Sequence, residues 1–296
     1  MALTFTTLND NADPTFNQLL GINDHGKIAG YLGIGGNDAQ HPNKGYTLNA
    51  PYTQHSYTNE NFPGSAQTQV TGLNNGDDSV GFWVDGAGNQ FGFVKDGNKF
   101  VNVVDPLANG AAAGGATTEQ LLGVNDHDVA VGFYTDANGN NHGFTYDIAK
   151  HSFHAVSVGG LASVTATGIN NAGDISGFFQ AGANTEGFVE DPHGRVTLLA
   201  GPSGAVSVQA LGLNNEGQVV GSFTDAQNNT HGFLYNEKTA SYTTIDDPNQ
   251  APSAGNPTTM TVANGINDKG QIVGFYMDSA GNTDGMLVQL NSHGHH

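Results

Sequence analysis

The chain has no cysteine, one tryptophan and one arginine among 296 residues. Without cysteine there is no disulfide, no thiolate metal site and no cysteine nucleophile. Basic residues are scarce: eight lysines and arginines stand against 27 acidic residues, for a net charge of −19. Nucleic acid and anionic membrane surfaces need Lys/Arg patches, so neither is an expected partner. Cations, neutral sugars and basic proteins are compatible with this charge, and solubility alone also accounts for it. No apolar run reaches 18 residues, which excludes a membrane-inserted helix. Met1-Ala2-Leu3-Thr4-Phe5 lacks the basic and apolar regions of a secretory signal. Either the protein is intracellular or a signal has been trimmed, and the Asn/Gly/Thr-rich, lysine-poor style favours an extracellular or cell-surface setting.

What the chain has is glycine, 43 residues of it, arranged in a repeat. The phrase Gly21-Ile22-Asn23-Asp24-His25-Gly26 recurs from Gly72, Gly123, Gly168, Gly212 and Gly265 at spacings of 51, 51, 45, 44 and 53 residues. A period of about 40–50 residues with strand-like content suggests stacked β-sheet blades. The fifth repeat shows the grammar. Val206 to Leu213 is rich in β-branched and apolar residues, and Asn214-Asn215-Glu216-Gly217 makes a tight turn. Three further strand-like runs, 218–223, 231–235 and 241–245, complete four antiparallel strands.

Glycines recur nine residues after each first glycine (Gly30, Gly81, Gly132, Gly177, Gly221 and Gly274) and again at the third strand. A tight hairpin would set the second-strand glycines opposite the first-strand ones, and the rows would let neighbouring blades approach closely. Repeat six lacks a fourth strand, and Leu3 to Leu8 has the pattern of one. The expected fold is therefore an all-β, six-bladed β-propeller with four antiparallel strands per blade, its ring closed by the N-terminal strand. Residues 1–291 are expected to form one domain, with 292–296 a disordered His-rich tail.

The pattern G-[ILV]-N-[DN]-x-G-x-[IV]-x-G-[FY] followed by H-G-F resembles the bacterial extracellular proteins built of HAF repeats. His142-Gly143-Phe144 and His231-Gly232-Phe233 are the nearest copies, and Lys44-Gly45-Tyr46, Asp77 and Asp128 depart from the pattern. The resemblance implies a propeller and an extracellular setting. It implies no single activity, since propellers host lectins, lyases, hydrolases and scaffolds alike.

Candidate chemistry lies in the loops between second and third strands, on the face that also carries the blade-to-blade connections. Alternating Asp and Asn in Asp85–Asn89, Asp136–His142, Asp225–Asn229 and Asp278–Asp284 is how calcium gathers ligands, and equally how hairpin loops turn. The residue before the third-strand glycine reads Lys44, Phe91, His142, Glu186, His231 and Asp284. His142, Glu186, His231 and Asp284 are candidate ligands for a divalent metal, calcium or a transition metal. Polar strand starts bonded to neighbouring loops account for the same residues. Glu119 could add a carboxylate at the channel mouth, and Gln18, Gln69, Gln120 and Gln209 could form an inter-blade ring. Trp83, Tyr134 and Tyr276 end second strands, where aromatic rings can stack on sugars or pack between blades. The six asparagines beginning with Asn23 read as turn formers.

Three functions remain open at this point. The first is a ligand-binding propeller for a neutral glycan or a partner protein, using Trp83, Tyr134, Tyr276 and Glu119. The second is a metal-assisted lyase or hydrolase with His142, His231 and Glu186 as ligands or bases and Tyr134 as acid. The third is a scaffold without a small-molecule site.

Overall fold

In the computed structural model the repeats become six four-stranded antiparallel sheets. The structure describes residues 2–34, 41–108, 116–161 and 163–291, so the tail 292–296 lies outside it. The first strand, β1 (Ala2–Thr7), stands apart from the blades that follow it in sequence. Blade 1 is β2 (Asn17–Ile22), β3 (Ile28–Leu32), β4 (Lys44–Leu48) and β5 (Tyr57–Asn59). Blade 2 is β6 (Gln67–Leu73), β7 (Ser79–Val84), β8 (Gln90–Asp96) and β9 (Lys99–Val103). Blade 3 is β10 (Glu119–Val124), β11 (Val129–Thr135), β12 (Asn141–Asp147) and β13 (Ser152–Ala155). Blade 4 is β14 (Val164–Ile169), β15 (Ile175–Ala181), β16 (Asn184–Glu190) and β17 (Val196–Leu199). Blade 5 is β18 (Ser207–Leu213), β19 (Gln218–Thr224), β20 (Thr230–Asn236) and β21 (Ser241–Ile245). Blade 6 is β22 (Thr261–Ile266), β23 (Gln271–Met277) and β24 (Thr283–Asn291), with β1 as its outer strand.

The closure is as expected. β1 pairs with β24 from Ala2 opposite Asn291 to Thr7 opposite Met286. The core lies between blades, where apolar faces of neighbouring sheets meet. Val80 and Val94 of blade 2 pack with Leu121 and Phe144 of blade 3, and Val131 of blade 3 with Val164 and Phe188 of blade 4. The third-strand phenylalanines Phe93, Phe144, Phe188 and Phe233 are fully buried, each contributing roughly 2–3 kcal/mol of transfer free energy. No helix among the described residues is long and apolar enough to cross a membrane.

The register of the first hairpin differs from the expected one. Gly30 pairs with Leu19 and Gly21 with Ala29, leaving Leu20 as an extra residue, and all six blades repeat this bulge. Each of the three glycine rows has its own contact. A Cβ on Gly21 would sit 3.0 Å from the Gly72 Cα, and Gly72, Gly123, Gly168, Gly212 and Gly265 continue this contact around the axis back to Gly21. Third-strand glycines face the next blade too, as Gly92 faces Leu121. Second-strand glycines instead make room inside their own blade: a Cβ on Gly177 would strike the Thr165 carbonyl and lie 2.6 Å from Phe188.

Candidate functional site

Because the side chains of a strand alternate, the six inner strands aim every second residue at the axis. The bulge residues Leu20, Thr71, Leu122, Thr167, Leu211 and Asn264 form a constriction there. Polar and apolar positions alternate blade by blade, and each polar one ties its blade to the next. The Thr71 hydroxyl donates to the Leu121 carbonyl at 2.7 Å, Thr167 to Ala210 at 2.8 Å, and the Asn264 amide to Leu19 at 3.1 Å.

Below the constriction lies a collar made by the first turns. Each turn asparagine does what a turn former does: Asn23 Oδ1 accepts the His25 and Lys27 amides. It also latches blades. Asn23 Nδ2 donates to the Asn74 carbonyl, and the chain of bonds passes through Asn125, Asn170, Asn214 and Asn267 back to Asn23. The next position makes a second closed ring, in which each backbone amide meets the following blade's Asn or Asp side chain, from Asp24 through Asp126 to Asp268. Burial works against the Asp126 charge, but N–H groups of Asn75 and Asn171 outweigh it and hold its pKa below the usual range.

Above the constriction, on the face of the blade connections, the channel widens to a funnel of about 650 Å³. Its walls come from blades 3 to 6. Hydroxyls of Thr165, Thr185, Ser207 and Ser222 and amides of Gln120 and Gln209 alternate with the rings of Phe133, Phe178 and Phe275. None of the described residues lining it is ionisable. In blades 1 and 2 the equivalent ring positions are closed: Tyr31 is buried, with its hydroxyl on Gln18, and Phe82 is buried.

The residues singled out from sequence sit elsewhere. His142, Glu186, His231 and Asp284 occupy one register position in four different blades, opposite Tyr134, Phe179, Phe223 and Tyr276. Each has its own surroundings. His142 Nε2 lies 3.0 Å from Asp136 Oδ2, and its ring stacks on Tyr134 at 5.0 Å. His231 lies between Asp246, 3.0 Å from Nδ1, and Asp225, 3.3 Å from Nε2. Glu186 is exposed. Asp284 is buried and accepts the Asn9 amide at 2.6 Å. Among the described residues no group of three or more His, Asp or Glu is arranged to hold a metal ion. The loop aspartates are likewise engaged by their own loops: Asp85 Oδ1 takes the Ala87 and Asn89 amides and Oδ2 the Asn89 side chain.

The aromatic candidates pack rather than line the funnel. Trp83 stacks face to face on Phe62 at 4.5 Å and donates Nε1 to Asn102. Tyr276 is buried with its hydroxyl 2.9 Å from Thr7. Tyr134 borders a separate pocket between blades 3 and 4; burial, then the charges of Asp105 and Asp136, raise its pKa. Glu119 lies in the seam between blades 2 and 3, fully buried, rather than at the channel mouth. Its Oε2 accepts the Asp105 amide of the blade connection at 2.6 Å, as Thr68 and Thr261 accept the equivalent amides of Phe62 and Asp247. Among the described residues its Oε1 has no partner, and burial pushes its pKa up to about 8 against the opposing Asp105 N–H. Among the described residues the glutamines form no closed ring: Gln120 reaches Gln90 of blade 2, and Gln18 stays with Tyr31.

Sequence reasoning missed the funnel by one residue. The rings that reach it, Phe133, Phe178 and Phe275, directly follow the second-strand glycine, whereas Tyr134 and Tyr276 come one position later and face the other side. The signal was present in the G-[FY] of the repeat.

No family model and no curated protein matches the chain. Solved structures share its fold. TolB from Acinetobacter baumannii superposes with TM-score 0.57 at 10% identity, over 97% of this chain and 66% of that one. Virginiamycin B lyase from Staphylococcus aureus gives 0.53 at 12%, over 98% and 100%. The Aleuria aurantia lectin, bound to Fucα1-6GlcNAc, gives 0.53 at 12%, over 92% and 91%. At this identity the likeness shows the propeller fold, which serves several unrelated tasks.

Proposed function

We propose that the protein is a binding propeller that takes a neutral, hydroxyl-rich ligand of the carbohydrate class in its central funnel. The observation that carries this reading is an uncharged funnel in a chain of net charge −19. Hydroxyls and amides both donate and accept, as sugar hydroxyls require, and phenyl faces suit the C–H faces of a pyranose. A wall without ionisable groups offers no general acid or base to a ligand in the funnel, so binding is favoured over lyase or hydrolase chemistry there. A lectin and a lyase share the fold, so the fold itself decides neither. The extracellular setting implied by the HAF-type phrases belongs to the same reading.

Titration calorimetry against a panel of neutral oligosaccharides tests it. A binder is expected whose affinity falls at least tenfold in Phe178→Ala and in Gln209→Ala, with melting temperatures kept within a few degrees. If no saccharide binds the wild type while a protein partner is captured by it, the scaffold reading replaces this one.

A further inference from the structure

The niche between third strand and blade connection is filled differently in blades 2, 3, 5 and 6. In blade 2 Phe62 fills it by stacking on Trp83. In blade 6 Asn9 reaches Asp284 and Thr7 reaches Tyr276. In blade 5 two carboxylates flank His231. In blade 3 a pocket of about 280 Å³ remains, bordered by blade 4 and distinct from the funnel, with Asn141 as the shared wall. Phe153, Val156 and Val164 make apolar walls, and Leu161 stands at the rim, 46% exposed. Asp105, itself 5% exposed, lines the same pocket with Tyr134, beside the polar side chains of Asn141, His142, Ser157 and Ser163. Asp105 Oδ1 takes the Leu107 amide at 2.8 Å, and among the described residues His142 is the one basic side chain on the pocket wall.

We propose that this pocket is a binding site for a small hydrophobic amine, with the ammonium group between Asp105 and Tyr134 and the hydrocarbon against Phe153, Val156 and Val164. A carboxylate in an apolar, partly desolvated site gains most from a cation that brings its own apolar body, because burial strengthens the charge pair. His142 stacks on one face of the Tyr134 ring, and the opposite face is the one that offers cation–π attraction to the same group. The Asp136 charge, held beside His142 and felt at Tyr134, reinforces the sign of the potential. The proposal is independent of the funnel reading, since it uses none of the funnel's rings or glutamines.

Phenethylamine and 2-phenylethanol, which differ in the charged head, are the probes, titrated into wild type by calorimetry at low salt. The amine is expected to bind at least tenfold more tightly than the alcohol. Asp105→Asn, which keeps an oxygen for the Leu107 amide, is expected to remove that preference while leaving the melting temperature nearly unchanged. Leu161→Gln, at the exposed rim, is expected to weaken the amine several-fold, which gives a second reading should Asp105→Asn misfold. Equal binding of amine and alcohol, or no binding of the amine at millimolar concentration, overturns the proposal. So does an amine preference that survives Asp105→Asn.

Discussion

Asp77 and Asp128 stand where four repeats have a turn glycine, and both hold that glycine's left-handed backbone, with φ of 70° and 57°. A residue with a Cβ is strained there, by about 1 kcal/mol for so short a side chain. Asp128→Gly is therefore expected to raise stability by about 0.5–1 kcal/mol in denaturant unfolding. Asp77→Gly should gain less, because it gives up the Lys27 contact at 3.4 Å. Glu119 makes the opposite kind of demand. Its folded pKa, about 8, lies above the unfolded value, so the native state holds the proton more tightly than the unfolded chain does. Stability from this group is complete at low pH and declines as pH rises from about 4.5 through 8. Glu119→Gln should flatten that decline: the stability difference between variant and wild type should grow in the variant's favour across this window. Unfolding curves at several pH values check it, and parallel curves would refute it.

At the scale of the element, the repeat revealed strands, turns and blade closure, because these depend on local pattern: period-2 apolar residues and Asn-Gly turns. It did not reveal the bulge, because one extra residue in a hairpin leaves the glycine spacing at nine. Missing the bulge misassigned the second-strand glycines to blade contact and left the constriction at Leu20 and its equivalents unseen. One residue of strand phase separates Trp83 and Tyr276, which pack against Phe62 and Thr7, from Phe178 and Phe275, which line the funnel. The latching of the turns was hidden for another reason. That Asn170 Oδ1 caps its own turn is legible from spacing, but that Nδ2 meets Asn214 of the next blade is a long-range fact. The two roles can be separated. Asn170→Ala loses the acceptor and the donor together, whereas Asn170→Asp keeps the acceptor but sets a second carboxylate where Nδ2 now donates to Asp174 at 2.9 Å. Each buried bond is worth about 1 kcal/mol, and an orphaned group costs about 1–3 kcal/mol. Asn170→Asp is therefore expected to cost at least as much as Asn170→Ala at neutral pH and to recover part of the loss in acid, where one carboxyl is protonated. A loss in Asn170→Asp that does not change with pH in chemical unfolding would mean that the donor side of this residue carries no stability.

For the whole molecule, the six sheets are joined by two closed rings of side-chain bonds and a ring of glycine contacts, and all three depend on the circle being complete. The strand that completes the outer edge of blade 6 is β1, at the far end of the chain from β24. Leu3 and Phe5 pack against blade 6, Leu8 is buried in the blade 1 cluster, and Asn9 holds both the Gly285 amide and Asp284. Removing residues 2–9 would therefore expose the edge of β24, take the Asn9 amide from the buried Asp284 and open the seam between blades 6 and 1. The melting temperature is expected to fall by more than about 10 °C, a loss of several kcal/mol for a domain of this size. The exposed edge should also drive concentration-dependent association in size-exclusion chromatography. A synthetic peptide of residues 1–10 added in trans should restore much of the loss, since it can pair with β24 in the same register. A scrambled peptide should not. If the truncated chain melts like the intact one, the ring is held by its inner collar alone, and β1 is decoration rather than closure.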